Sequence, residues 1–171
     1  MQLKQVQKKI ELNKYLLILI TIILFSQCSK KEINNIPENE KIDTILNQWH
    51  KDAKESNFEP FFNRISKDGF YIGTDASENW TKKEFISFAK PYFDKQKTWD
   101  FKTIKRTVFL SKNKKTAWFN ELLDTWMGTC RGSGILEKEN DEWKIKQYVL
   151  SVTIPNSEIK KVIKITKSKS N

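Results

Sequence analysis

Thr116-Ala-Trp-Phe-Asn-Glu-Leu-Leu-Asp-Thr125, Cys130-Arg-Gly-Ser-Gly-Ile-Leu136 and Glu142-Trp-Lys-Ile-Lys-Gln-Tyr-Val-Leu-Ser-Val-Thr-Ile-Pro-Asn156 read as three consecutive strands. Asn140-Asp141 separates the last two and offers the residue types that tolerate the left-handed backbone of a two-residue hairpin turn, so Glu139 is expected opposite Glu142. Counting back sets Leu136 against Ile145, Gly134 against Gln147, Gly132 against Val149 and Cys130 against Ser151. The loop Trp126-Met127-Gly128-Thr129 sets Leu123 against Gly132, Glu121 against Gly134 and Phe119 against Leu136. Side chains alternate between faces, so both counts place Phe119, Leu123, Leu136, Ile145 and Val149 together on a core face, with Glu121 and Gln147 among them. A slip of one residue reverses every such assignment.

A further strand, from about Thr98 to Ser111, turns back around Asn113. A two-residue turn there brings Leu110 opposite Ala117, Val108 opposite Phe119 and Arg106 opposite Glu121. A carboxylate facing an arginine stays ionised and is a poor general acid, whereas an unpaired one in apolar surroundings is pushed towards neutral pKa and can act as a base. The opposite face collects Phe109, Trp118, Leu122, Ile135, Tyr148 and Leu150, an apolar patch of the kind that marks an association surface, and a homodimer is expected through it.

Upstream, Ile42, Ile45, Leu46 and Trp49 recur at helical spacing and predict a first helix ending near Asn57. Phe58, Phe61, Phe62 and Ile65 mark a second, shorter helix, and Lys67-Asp68-Gly69 is read as the turn into a strand Phe70–Asp75. Thr81 with Glu84 forms a capping box for a third helix whose buried side is Phe85, Phe88, Ala89, Tyr92 and Phe93.

These segments resemble the SnoaL-like branch of the nuclear transport factor 2 superfamily, in its SnoaL-like domain 3 form, from about Ile42 to Asn156. The resemblance rests on the helix carrying Trp49, the run Phe70-Tyr71-Ile72-Gly73-Thr74-Asp75 followed by Trp80, the helical Lys90-Pro91-Tyr92-Phe93, and the runs Arg131-Gly132-Ser133-Gly134 and Gln147-Tyr148-Val149-Leu150-Ser151. It implies an α+β cone: helices from the N-terminal half packed in the concave side of a bent antiparallel sheet, with a pocket at the open end. Members of that family include isomerases, cyclases, epoxide hydrolases and many proteins with no known activity, so the fold does not select a function.

The start of the chain carries Lys4, Lys8, Lys9 and Lys14, then an apolar run from Tyr15 to Phe25, then Cys28. That run is well short of the ~20 residues a membrane-spanning helix needs and reads as a signal-peptide core. Leu24-Phe25-Ser26-Gln27-Cys28 is similar to a bacterial lipoprotein processing site, although Phe25 and Gln27 depart from the usual leucine and small residue. Cys28 is therefore the expected lipidation site, with an uncleaved anchor as the alternative, and the protein is expected in the cell envelope, held on the membrane. The organisation expected is signal peptide 1–27, tether 28–40, SnoaL-like domain 41–156 and Lys-rich tail 157–171. The tail is read as a flexible end, a short added strand or a contact for anionic lipid.

The net charge of +10 is concentrated at the two ends, and the aromatic residues lie in core-forming segments, which disfavours nucleic-acid binding. Only two cysteines are present, and lipidation of one leaves Cys130 without an intramolecular partner. The one histidine, His50, is expected on the surface, and a single histidine argues against a histidine-rich metal site or a Ser-His-Asp triad. No cofactor is expected, since no phosphate-cradling glycine loop is present. Glu121 and Asp75 are the candidate catalytic carboxylates, with Tyr71 or Tyr92 as hydrogen-bond donors. Trp49, Tyr71, Asp75, Tyr92, Arg106, Phe119, Glu121, Gly134 and Gln147 are the candidate ligand contacts, with Gly134 leaving a gap between Glu121 and Gln147. Three classes of function stay open: a domain binding a small, mostly apolar molecule; a cofactor-free isomerase, cyclase or hydrolase; and a dimeric interaction module with a vestigial pocket.

Overall fold

The computed structural model describes residues 36–168, and residues 37–168 belong to one compact unit. The expected leader and Cys28 lie outside the described residues. Helix α1 spans Glu38–Lys54, with Glu38 and Glu40 in its first turn and Lys51 and Lys54 in its last, each sign matching the helix dipole. Ile42, Leu46, Trp49, His50 and Ala53 form its buried stripe, at spacings of three and four. Ser56, at φ 56°, reverses the chain into α2, Phe58–Asn63.

Ile65, expected on that second helix, instead opens strand β1, Ile65–Ile72. Lys67-Asp68-Gly69 is likewise within the strand rather than a turn, as an irregular stretch between the Ile65–Ile145 and Phe70–Gln147 pairs; Ile145 N–H donates to the Arg64 carbonyl at 2.8 Å just before it. Strand β2, Asn79–Thr81, leads into α3, Lys82–Asp94, where the Thr81/Glu84 capping box is present as expected. Phe85, Ala89 and Phe93 are buried there, whereas Phe88 and Tyr92 lie on the flank and are partly exposed. Strand β3 is Lys102–Leu110; it starts later than expected because Thr98 hydrogen-bonds the Ala53 carbonyl and Trp99 packs against Phe61 and Phe93. Strands β4, Thr116–Thr125, β5, Gly128–Glu139, and β6, Glu142–Val152, complete a six-stranded sheet of order β2-β1-β6-β5-β4-β3. All neighbours are antiparallel except β1 and β6.

The β3/β4 register is the expected one, with Arg106 paired to Glu121. Between β4 and β5 the connection is a tight Trp126-Met127 turn rather than a four-residue loop, so the pairing moves by two: Glu121 faces Gly132, Phe119 faces Gly134 and Leu123 faces Cys130. An even shift leaves the faces unchanged. Between β5 and β6 the turn is as expected, with Asn140 at φ 49° and Asp141 at φ 65°, and Leu136 faces Ile145. A bulge then follows, for Ile135 faces Gln147 and Lys146 is the extra residue. Past it, Gly134 pairs with Tyr148, Gly132 with Leu150 and Cys130 with Val152. That odd shift moves Gln147 and Val149 off the concave face and brings Tyr148 and Leu150, expected outside, into the core.

The helices fill the concavity with stacked and edge-on rings, among them Trp49 on Phe61 at 5.0 Å and Tyr71 on Phe85 at 4.0 Å between centroids. After β6, a 3-10 turn leads into α4, Ile159–Ser168, where the sequence reading had a flexible end or a strand. Ile159, Val162 and Ile163 share one side of it and Lys160, Lys161, Lys164 and Lys167 the other, which is helical spacing. Among the described residues no helix is long and apolar enough to cross a membrane.

Candidate functional site

Glu121 sits at the centre of the concave sheet and is 1% exposed. Its Oε1 accepts from Tyr148 Oη and His50 Nε2, each at 2.9 Å, and its Oε2 accepts from Arg106 Nε at 2.8 Å and Nη2 at 2.7 Å. Three strands and α1 thus converge on one carboxylate. Arg106 is itself saturated: Nη1 donates to Asp43 Oδ1 and Asn47 Oδ1, both at 2.7 Å, and Nη2 donates to Thr103 Oγ1 at 3.0 Å. Burial alone pushes the Glu121 carboxyl up, but the hydrogen bond and charge of His50, the Arg106 guanidinium and the Tyr148 hydroxyl outweigh it and hold it below the usual carboxylate range. Burial, and then the Glu121 charge, push the Tyr148 phenol well above its ordinary value. An ionised carboxylate with every lone pair engaged is a fixed anchor, not a base waiting for substrate.

The glycine that makes this arrangement possible is Gly132, not Gly134. A Cβ at Gly132 would collide with the Tyr148 hydroxyl and lie 2.6 Å from Glu121 Oε1. At Gly134 the space is already taken by the Phe119 ring, 2.9 Å from where a Cβ would be, and by the Gln147 carbonyl. The expected row of Glu121, Gly134 and Gln147 around a gap is therefore absent: the bulge at Lys146 turns the Gln147 side chain outward, and Phe119 closes the gap.

His50, expected on the surface, is 6% exposed and wedged between the rings of Trp49, Phe101 and Tyr148. The sequence did carry a signal for it. His50 lies four residues after Leu46 and eight after Ile42, on the apolar stripe.

Two openings flank the carboxylate. One is a cavity of ≈ 140 Å³ whose walls are Tyr71, Trp80, Phe85, Phe88, Trp99 and Phe101, with Leu150 and Met127 beside them and Thr74, Glu78 and Trp126 at the rim. The other is a cleft of ≈ 270 Å³ between α1 and the start of β3, lined by Asn47, His50, Lys51, Lys54, Asp100, Phe101, Lys102 and Thr103. Of the candidate contacts, Tyr71 lines the aromatic cavity, while Arg106, Phe119 and Glu121 lie buried beneath the sheet's inner face. Trp49 is buried in the ring cluster, with its Nε1 lacking a partner among the described residues. Asp75 is exposed and accepts from the Ser77 amide at 2.9 Å and hydroxyl at 2.6 Å, the turn-forming role open to such a residue. Glu78, not Asp75, is the carboxylate beside the cavity, and Tyr92 lies outside it, packed against Phe88.

The sequence signature of the SnoaL-like domain matches residues 42–155. Solved structures share the fold. A domain of unknown function with a cystatin-like fold from Nostoc punctiforme superposes with a TM-score of 0.59 at 12% identity, over 75% of this chain and 85% of that one. An NTF2-like protein of unknown function from Pseudomonas putida gives 0.58 at 10% identity, over 69% and 88%. The association domain of C. elegans CaMKII gives 0.56 at 12% identity, over 66% and 94%. No curated protein matches the sequence.

Proposed function

Because the chain belongs to the SnoaL-like domain family, with the NTF2-like, cystatin-like α+β fold, we propose that it is a binding protein for a small, mostly apolar molecule, held in the cell envelope through a lipidated Cys28. The observation that carries the binding role is the aromatic cavity. It is open to solvent on one side, and its ≈ 140 Å³ is room for a benzene-sized molecule. Its walls are ring faces rather than polar groups, and Glu78 and Thr74 at the rim suit a ligand with one hydrogen-bonding end. The engagement of Glu121 by four donor atoms counts against the enzyme reading, which needs a free carboxylate.

Toluene and p-cresol are the probes, followed by saturation-transfer NMR and calorimetry. Saturable binding of at least one is expected, with p-cresol lost in Met127→Trp, which crowds the cavity from beside its walls, and weakened in Trp126→Ala at the rim. A folded protein that binds neither probe, or whose binding ignores both substitutions, overturns the assignment. For the anchor, Cys28→Ser should release the protein from membranes or block its maturation; unchanged mass and membrane association reject it.

A further inference from the structure

The lysine-lined cleft shares only Phe101 with the aromatic cavity and is a different site from the one proposed for the apolar ligand. Its floor includes His50, whose Nε2 is committed to Glu121. Glu121 is ionised and can only accept, so Nε2 carries the proton of that bond. The ring's remaining polar atom, Nδ1, has no hydrogen-bond partner among the described residues and is not sealed from solvent, and the ring's small exposure is on the cleft that it lines. A ring 94% buried, locked between three aromatic neighbours and fixed in tautomer by a carboxylate, thus offers one nitrogen to a cleft.

The charge around that nitrogen is lopsided. Lys51 and Lys54 reach the cleft from α1, and Lys102 and Asp100 from the approach to β3. Lys54 pairs with Asp100 at 3.0 Å and Lys51 sits 3.8 Å from Glu55, while Lys102 has no carboxylate partner among the described residues. Beneath the ring are Glu121, neutralised by Arg106, and the Tyr148 hydroxyl.

We propose that this cleft is a site for a small oxyanion, a carboxylate or a phosphate, bound between Lys102 and Nδ1 of His50. An anion oxygen there accepts from Nδ1–H on the cleft side of the ring, while Glu121 accepts from Nε2–H on the other. No bond is broken.

The sequence has a single histidine, so an untagged full chain labelled with ¹⁵N-histidine, in dodecyl maltoside, gives signals from this ring alone. Without added anion, Nε2 is expected to carry a proton against Glu121. Titration with inorganic phosphate or with acetate should shift the Nδ1 signal saturably, with the Nε2 signal held by Glu121 much less affected. Response to phosphate, acetate or both identifies the anion class. Lys102→Glu, an exposed change that leaves the core untouched, should weaken the response about tenfold. The opposite tautomer, ring signals unmoved by both anions, or an equal response in Lys102→Glu overturns the proposal.

Discussion

Glu121 shows how much one buried residue can fix. Removing one partner of a buried, hydrogen-bonded ion pair leaves the other charge stranded and typically costs about 3–5 kcal/mol. Arg106→Met should therefore destabilise the domain by that order in urea unfolding. The carboxyl is held below its ordinary range, so its contribution to stability is complete above the unfolded-state pKa, about 4.3, and is lost as the pH falls through the lower folded value. Between pH 6 and pH 3 the urea midpoint should fall less steeply in Glu121→Gln than in the parent; parallel slopes would show that other carboxylates carry the acid sensitivity. Gly132 offers an independent check. Gly132→Ala should cost about 1–3 kcal/mol by overpacking, and adding Tyr148→Phe should recover part of it, because the hydroxyl is what the new methyl strikes. The pairing of Arg106 with Glu121 was legible in the sequence because it is counted from a short turn close by. His50 was missed because its polarity was weighed above its place on the α1 stripe.

Elements were legible where a turn residue or cap announced them. Asn140-Asp141 set the start of the β5/β6 pairing, and Thr81 with Glu84 set the start of α3. Loss of the Thr81 cap in Thr81→Ala should cost about 1 kcal/mol, measured as a shift in thermal midpoint. The bulge at Lys146 had no such marker. Lys146 carries no glycine or proline signal, and its surroundings alternate plausibly in either parity, Ile145, Gln147 and Val149 on one count, Tyr148 and Leu150 on the other. What decides between them is tertiary: Tyr148 inside reaches Glu121 and stacks near Tyr71, a contact no local pattern encodes. Downstream of that one residue the face of every side chain was misread; upstream the Arg106–Glu121 pair was read correctly, while Gly132, His50 and Glu78 were missed.

For the molecule as a whole, the convex face still presents Phe109 and Trp118, stacked at 5.7 Å and 42% and 46% exposed, with Ile135 alongside. Tyr148 and Leu150, expected there, have gone inside, so the patch is smaller than the sequence implied. Sedimentation at micromolar concentration should find a dimer that Trp118→Glu dissociates; a monomeric parent, or a dimer indifferent to the change, shows that this face does not associate. The parallel pairing of β1 with β6 has a consequence in time. Phe70, Tyr71 and Ile72 wait for Gln147, Tyr148 and Val149, so nearly the whole domain must be synthesised before its first strand gains its inner neighbour. A chain that must be threaded across a membrane unfolded, as the proposed export requires, gains from such a delay: the topology acts as a clock that keeps the nascent polypeptide pliable until its last strand has emerged.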